Sequence, residues 1–211
     1  MLAMLATRTA AAAPGCDARA AEAEAAGLRV HLLDEAARAH RWNVGWGLGF
    51  GAVSAVQLGL AVGEWNPLGA FNRDDRDALY VGAGKAAIGA LGRLVTPLRI
   101  RVPAPTADPC ADVSALRAVL ARSGKLERTL FWTSHLGSLV VNLGGTVILG
   151  EQTGHWTLAA LTFVYSYPVG LLAAYTMPRG SWHAWRALEA TALAPVPLPG
   201  GGVALTLAGE F

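Results

Sequence analysis

Four long apolar runs constrain this chain more than any other feature of its sequence. They cover residues 43–63, 78–97, 129–150 and 156–177, and only the second contains charges, Lys85 and Arg93. An α-helix needs about 20 apolar residues to cross about 30 Å of hydrocarbon. Membrane-spanning strands are about 10 residues long and alternate apolar with polar positions, which these runs do not do. We therefore predict an all-α polytopic membrane protein with four transmembrane helices.

The overall composition agrees with lipid as the main solvent. Charged residues are 15% of the chain and hydrophobic residues 53%, whereas soluble domains carry about 25% charged residues. A disordered chain would be more polar, and a net charge of +2 is too small to indicate nucleic-acid binding. A soluble protein with buried core helices would not need four such runs. The Ala-rich chain has 15 Arg but only 2 Lys, a bias typical of a GC-rich bacterial genome.

The segments around the spans predict shorter surface elements. In the N-terminal segment, 1–42, an amphipathic helix is expected over 17–41, capped by Asp17. In the longest loop, Asp108 and Pro109 form a good helix start, and Gly124 is expected to stop that helix. The C-terminal segment, 178–211, should form an amphipathic helix over 181–193 and then an extended tail. The tail's end resembles the last strand of bacterial outer-membrane barrels, but nothing else in the chain does, so a free or edge-pairing tail is expected.

The two halves of the sequence resemble each other weakly. Each contains a cysteine, an amphipathic helix, a basic residue, an aromatic residue and two spans, the first of them Gly-rich. Duplication of a two-span hairpin would produce this order, and so would chance similarity between Ala- and Gly-rich segments. Both explanations remain open.

Basic residues are distributed unequally between the two sides of the membrane. With four spans, 13 of them lie on the side of both termini and only Arg73 and Arg76 on the other. The positive-inside rule then predicts a bacterial cytoplasmic membrane protein with cytoplasmic termini.

Residues 1–14 also faintly resemble a signal peptide, which would predict the opposite orientation. Its cleavage would place Cys16 and Cys110 in an oxidising compartment, where they could form a disulfide.

Four polar residues inside the runs are candidate binding residues. Lys85 is the most informative, because a charge inside a span is costly and is a functional hypothesis by default. Together with Gln57, His135 and Asn142 it could line a polar seam between helices. The alternatives are that Lys85 extends to the membrane surface and that the amide and imidazole groups only hydrogen-bond between helices.

Small residues recur at helical spacing within the spans. The candidate helix-packing positions, including two overlapping GxxxG pairs, are Gly45, Gly47, Gly49, Gly51, Gly137 and Gly145. Small residues let transmembrane helices approach closely. This pattern predicts close packing, either within the chain or in a homo-oligomer.

No sequence motif indicates catalysis. The GxSxG, HExxH and P-loop patterns are missing, so we predict no catalytic residue, metal site or cofactor. The acidic cluster Asp74, Asp75 and Asp77 is interpreted as a helix cap. A metal-dependent membrane enzyme that uses this cluster is the third hypothesis for the function.

The leading hypothesis is a non-enzymatic structural, assembly or accessory subunit, with the lipid bilayer and a homo-oligomer or larger membrane complex as partners and no nucleic acid. The alternative is a transporter, channel or lipid-handling protein that uses the polar seam.

Overall fold

The described part of the chain is helical and ends in one short β-hairpin. The computed structural model describes residues 16–63, 72–191, 193–197 and 203–207, so the signal-like segment 1–14 lies outside the described residues. The elements are α1 (Ala18–Val62), α2 (Arg73–Val95), α3 (Pro109–Thr153), α4 (Trp156–Tyr175), α5 (Gly180–Thr191), β1 (Leu193–Pro197) and β2 (Val203–Leu207).

Helix α1 is a single helix of 45 residues. It begins where the sequence predicts, because the Asp17 carboxylate accepts hydrogen bonds from the backbone N–H groups of Arg19 and Ala20. The predicted surface helix and the first span are therefore one continuous element, with no break at the expected boundary near residue 42. No proline interrupts this stretch of sequence, so the backbone hydrogen-bond ladder continues through it.

Helix α3 also has 45 residues, and the prediction that Gly124 stops it was wrong. Asp108 and Pro109 start the helix as expected, but it continues through Gly124 to Thr153. Gly124 is needed for packing instead, since a Cβ there would lie 2.9 Å from the backbone oxygen of Ser181 and 3.0 Å from the Cβ of Trp185. The helix ends at Gly154, whose φ of +69° is the left-handed conformation that glycine adopts without strain.

The helices form two long-and-short pairs. Helix α2 packs along α1 and α4 packs along α3, and the long helices also pack on each other. The lengths repeat in the order 45, 23, 45 and 20 residues. This order matches the weak repeat in the sequence, whose origin stays a prediction.

The N-terminal parts of α1 and α3, the segment 98–108 and α5 form a compact region that we call the head. Its core consists of apolar side chains from these elements, mainly Ala21, Ala25, Leu32, Ile100, Val113, Leu116, Val119 and Leu120. Two ion pairs connect the long helices, one between Arg29 and Asp112 (3.1 Å) and one between Arg117 and Glu24 (2.7 Å). The Cys16–Cys110 disulfide, with Cα atoms 6.4 Å apart, joins the same two helices at their N-terminal ends.

The remaining helical segments form a second region that we call the bundle, made of 43–62, α2, 129–153 and α4. Three helices of the described chain are long and apolar enough to cross a membrane, namely α1, α2 and α4. The second half of α3, predicted as another span, does not reach the same hydropathy. Its polar residues explain the difference, and they include Thr133, Ser134, His135, Ser138 and Asn142.

The C-terminal segment contains the expected helix and a hairpin. Helix α5 lies within two residues of its predicted bounds. The following strands pair antiparallel with each other, with Leu193 opposite Leu207 and Pro197 opposite Val203. The tail thus forms paired strands over these ten residues, and the final residues 208–211 lie outside the described part.

We expect the disulfide to contribute measurably to the stability of the head. It links residues separated by 94 positions, and closing loops of this size adds about 2–4 kcal/mol to the free energy of unfolding. Reductant should therefore lower the melting temperature of the purified wild-type protein to that of the Cys16→Ser/Cys110→Ser variant. The variant itself should not respond to reductant. Equal melting temperatures for oxidised and fully reduced wild type, with thiols counted, would contradict this expectation.

Candidate functional site

Lys85 lies in the middle of α2, far from either end of the helix. It is 12 residues after the first residue of the helix and 10 before the last, which corresponds to about 18 Å and about 15 Å along the axis. A four-carbon stem cannot cover either distance. The predicted span starts at residue 78, only seven residues before Lys85, so the alternative that Lys85 extends to the membrane surface stays a prediction. The side chain is half-buried and directed between the helices.

Lys85 starts a chain of hydrogen bonds that connects three helices. Its Nζ donates to the hydroxyl of Ser166 on α4 at 2.8 Å. That hydroxyl lies within hydrogen-bond distance of Asn142 Oδ1 on α3, and Asn142 Nδ2 donates to the backbone oxygen of Ser138 at 2.8 Å. We call Lys85, Ser166, Asn142 and Ser138 the lysine cluster. It brings together two of the four predicted seam residues.

Gly145 creates the space through which the lysine stem passes. A Cβ on this residue would lie 2.7 Å from Lys85 Cδ and 3.2 Å from a methyl group of Val81. The predicted packing position is therefore a place where a lysine stem, rather than a helix backbone, lies against the glycine. The Gly145 backbone thus shapes the route from α2 to Ser166.

Gln57 and His135 lie elsewhere in the bundle. Gln57 packs over Gly82 at the α1–α2 contact, and its Oε1 is buried without a hydrogen-bond partner among the described residues. His135 bonds through Nδ1 to the backbone oxygen of Phe131 at 2.9 Å and packs edge-on against Tyr175. The four predicted seam residues thus do not converge on one cavity. Ser166 lies within the predicted fourth span, 156–177, but it was not among the predicted seam residues. A hydroxyl group in an uncharged run was the available signal.

The other predicted packing glycines contact little of the chain. A Cβ on Gly47 would lie 3.7 Å from the Cβ of Arg93, an ordinary contact. At four other positions, such a Cβ would have no atom within 4 Å apart from the backbone of its own helix. These positions are Gly45, Gly49, Gly51 and Gly137. At these four positions no close helix–helix contact is formed within the described chain.

One residue of the acidic cluster at the start of α2, Asp75, takes part in a capping box with Asn72. Asn72 accepts a hydrogen bond from the backbone of Asp75, and the Asp75 carboxylate accepts one from the backbone of Asn72. Asp74 lies 2.6 Å from the Nδ1 of His155, at the turn between α3 and α4. Within the described ranges, no group of three or more His, Cys, Asp or Glu side chains could hold a metal ion.

Two buried glutamates hold the N-terminus of α5 in the head, and sequence analysis missed both. Glu35 of α1 accepts the backbone N–H of Gly180 at 3.3 Å, and Glu127 of α3 accepts that of Trp182 at 2.7 Å. Both side chains are almost fully buried. Glu35 also pairs with Arg38, whereas Glu127 Oε1 has no hydrogen-bond partner among the described residues. Burial raises the pKa of Glu127 to about 7, and the backbone N–H of Trp182 opposes this shift.

We expect the head to lose stability as pH rises from about 4.5 to about 7. In this range folded Glu127 retains a proton that the unfolded chain has lost, because its pKa rises from 4.5 to about 7 on folding. The folded state then binds more protons, so the free energy of unfolding falls with increasing pH. Melting curves of the purified protein recorded between pH 4 and pH 8 measure this slope.

Two variants separate this contribution from other titrating groups. Glu127→Gln keeps an acceptor for the Trp182 N–H and should flatten the decline over the same range. Glu22→Gln removes an exposed carboxyl of α1 and should leave the wild-type profile unchanged. A wild-type slope that persists in Glu127→Gln would show that another group causes it.

Comparison with known proteins provides no relative from which a role could be carried over. No family model, curated protein or solved structure matches the chain. The lysine cluster, the head and the charges on its surface are therefore the basis for inferring what the protein does.

Proposed function

We propose that this chain is a non-enzymatic multi-span membrane protein that handles an anionic solute or an anionic lipid at the lysine cluster. The observation that carries the proposal is the direction of Lys85, which points between α2, α3 and α4 to the Ser166 hydroxyl. A lysine with only a surface role would extend towards the nearest water. An ionisable group turned into a bundle typically marks a substrate or ion pathway.

The hydrogen-bonding capacity of the amine supports an anionic ligand. A lysine ammonium has three donors, and Ser166 is the one acceptor that Lys85 contacts among the described residues. No acidic side chain of the described chain forms an ion pair with Lys85. An entering carboxylate, phosphate or halide would supply the missing negative charge, and charge-assisted bonds of this kind are strong in a medium of low polarity.

The second half of α3 completes the proposed membrane domain as its fourth span. It packs against α4 and α2, which are both long and apolar enough to cross the membrane. Its polar residues Ser138 and Asn142 join the lysine cluster rather than facing lipid. A span that lines a polar site can be less hydrophobic than one surrounded by lipid.

A structural or accessory subunit is the second candidate, favoured by a different observation. Gly45 and Gly49 lie four residues apart on the membrane half of α1, and the described chain leaves both uncovered. The neighbouring Leu48 is 70% exposed. A helix of another subunit, or of a second copy, could approach closely at such a surface.

For orientation, we propose that the head lies on the non-cytoplasmic side of a bacterial cytoplasmic membrane, the reverse of the prediction from basic residues. Support comes from the Cys16–Cys110 disulfide in the head, since disulfides persist in oxidising compartments and are reduced in the cytoplasm. The distribution of arginines favours the opposite side. We give the disulfide more weight than the arginines because its persistence depends directly on the redox state of the compartment that contains the head.

Replacing Lys85 should abolish the proposed activity. In liposomes containing the purified protein, we expect movement of chloride, of inorganic phosphate or of fluorescent phosphatidylglycerol between leaflets. Lys85→Gln should reduce that movement at least tenfold, because the amide carries no charge to attract the anion. Ser166→Ala should reduce it less, since the amine remains.

The chain contains a matched control for this experiment. Lys125, the only other lysine, lies in the head over the ring of Trp185. Liposomes containing the Lys125→Gln variant should show anion movement at the wild-type rate. Wild-type rates in Lys85→Gln, or no movement of any of the three probes, would favour the accessory-subunit candidate. In that case the free surface at Gly45 and Gly49 becomes the feature to test.

Reporter fusions test the orientation. A C-terminal alkaline phosphatase fusion should be active and a C-terminal green fluorescent protein fusion dark, since the first needs the periplasm to fold and the second generally fluoresces only in the cytoplasm. The reverse pattern would place the head in the cytoplasm and leave the disulfide without an oxidising environment.

A further inference from the structure

A groove on the head collects three arginines from two parts of the chain. Arg99 and Arg101 come from the segment between α2 and α3, and Arg122 comes from α3 itself. Two adjoining cavities of about 410 Å³ and 330 Å³ share Arg101, Val119 and Arg122 in their walls. We call this feature the arginine groove.

The local sequence explains why two of these arginines face the same way. Buried and exposed residues alternate in the stretch Leu98-Arg99-Ile100-Arg101, where Leu98 and Ile100 are buried and both arginines are exposed. Side chains of an extended backbone alternate between opposite sides, so burying both apolar residues turns both guanidinium groups outward. Asn43 of α1 fixes this segment through two hydrogen bonds with the backbone of Leu98, at 2.8 Å and 3.2 Å.

The charges of the groove lack acidic partners. Elsewhere in the head, Arg29, Arg38 and Arg117 each pair with a carboxylate. Arg99, Arg101 and Arg122 form no ion pair with any residue of the described chain. Three like charges in one groove repel one another, and an anion between them would relieve this repulsion.

The groove lies at the level of the lipid headgroups if the bundle spans the membrane. Arg99 follows the predicted second span, which ends at residue 97, by two residues. Arg122 precedes the predicted start of the α3 span at residue 129 by seven residues, about 10 Å along the helix. The polar layer on each side of the hydrocarbon is about 5–7 Å thick, so a long arginine side chain at either position can reach lipid phosphates.

We propose that the arginine groove binds the phosphate headgroup of an anionic phospholipid. Guanidinium groups hold phosphate through paired hydrogen bonds, and basic pockets beside membrane helices bind anionic headgroups in this way. The apolar wall at Val102, Val119 and Leu126 contacts the glycerol and the upper acyl chain. The groove is separate from the lysine cluster and does not depend on the activity proposed there.

Binding can be measured on the full-length protein in a non-ionic detergent. The measurements use the Lys85→Gln background, which removes the lysine cluster as a competing site for an anionic lipid. In it we expect native mass spectrometry and thermal shift to detect one bound phosphatidylglycerol and weaker binding of phosphatidylcholine, which carries no net charge. Arg99→Gln/Arg101→Gln/Arg122→Gln should weaken phosphatidylglycerol binding by at least about tenfold, since each basic residue near an anionic lipid contributes to affinity. The same triple change to lysine should recover part of the affinity, because charge returns without the paired hydrogen bonds.

A control triple variant distinguishes the groove from general electrostatic attraction. Arg19→Gln/Arg76→Gln/Arg186→Gln removes the same charge from exposed positions outside the groove and should bind phosphatidylglycerol within about twofold of wild type. Equal loss in both triple variants, or wild-type binding by the groove variant, would overturn the proposal. Inorganic phosphate that stabilises the protein as strongly as phosphatidylglycerol would assign the groove to a free anion and refute the lipid. Melting curves without added lipid verify that each variant is folded.

Discussion

The packing of two uninterrupted helices against each other is the constraint on which the rest of this structure depends. Helices α1 and α3 each run for 45 residues from the head into the bundle. Because the disulfide and two ion pairs fix their N-terminal portions together, the relative position of their C-terminal halves in the bundle is fixed as well. The shorter helices α2 and α4 then pack along the long ones, and α5 closes the head. The lysine cluster and the arginine groove both exist because elements from the two halves meet in this arrangement.

Much of the helical content could be predicted from sequence because its signals are local. The caps at Asp17 and Asp108 mark both long helices correctly, and unbroken apolar runs identify α1, α2 and α4 as helices long enough to span. The apparent stop at Gly124 misled because glycine serves two purposes. Glycine often ends a helix, but its missing side chain also lets another segment pack closely against the helix. At Gly124 that segment is α5, more than 50 residues away in sequence. Only the tertiary contact distinguishes the two.

The candidate sites show the same limit more clearly. Hydropathy alone identifies Lys85 as an unusual charge within an apolar run. The direction of its side chain depends on Gly145 and Ser166, which lie on two other helices. Gln57 and His135 are polar residues within apolar runs, as Asn142 is, but their side chains do not contact the lysine cluster. Glu127 occurs in a basic stretch that looks like a solvated surface, and its burial depends on α5. Residue type predicts which groups are costly to bury, whereas helix rotation and long-range packing decide which of them meet.

The continuity of α1 has a mechanical consequence. From residue 43 back to residue 18 the helix extends about 38 Å beyond the start of the predicted span, at 1.5 Å per residue. If this part of α1 moves as a rigid rod, a tilt of about 5° about residue 43 displaces its far end by about 3 Å, since the displacement is proportional to this length. The Cys16–Cys110 bond couples that end to α3, so the two helices must swing together. A rearrangement of a few degrees around Lys85 would therefore be amplified into an ångström-scale movement at the tip of the head.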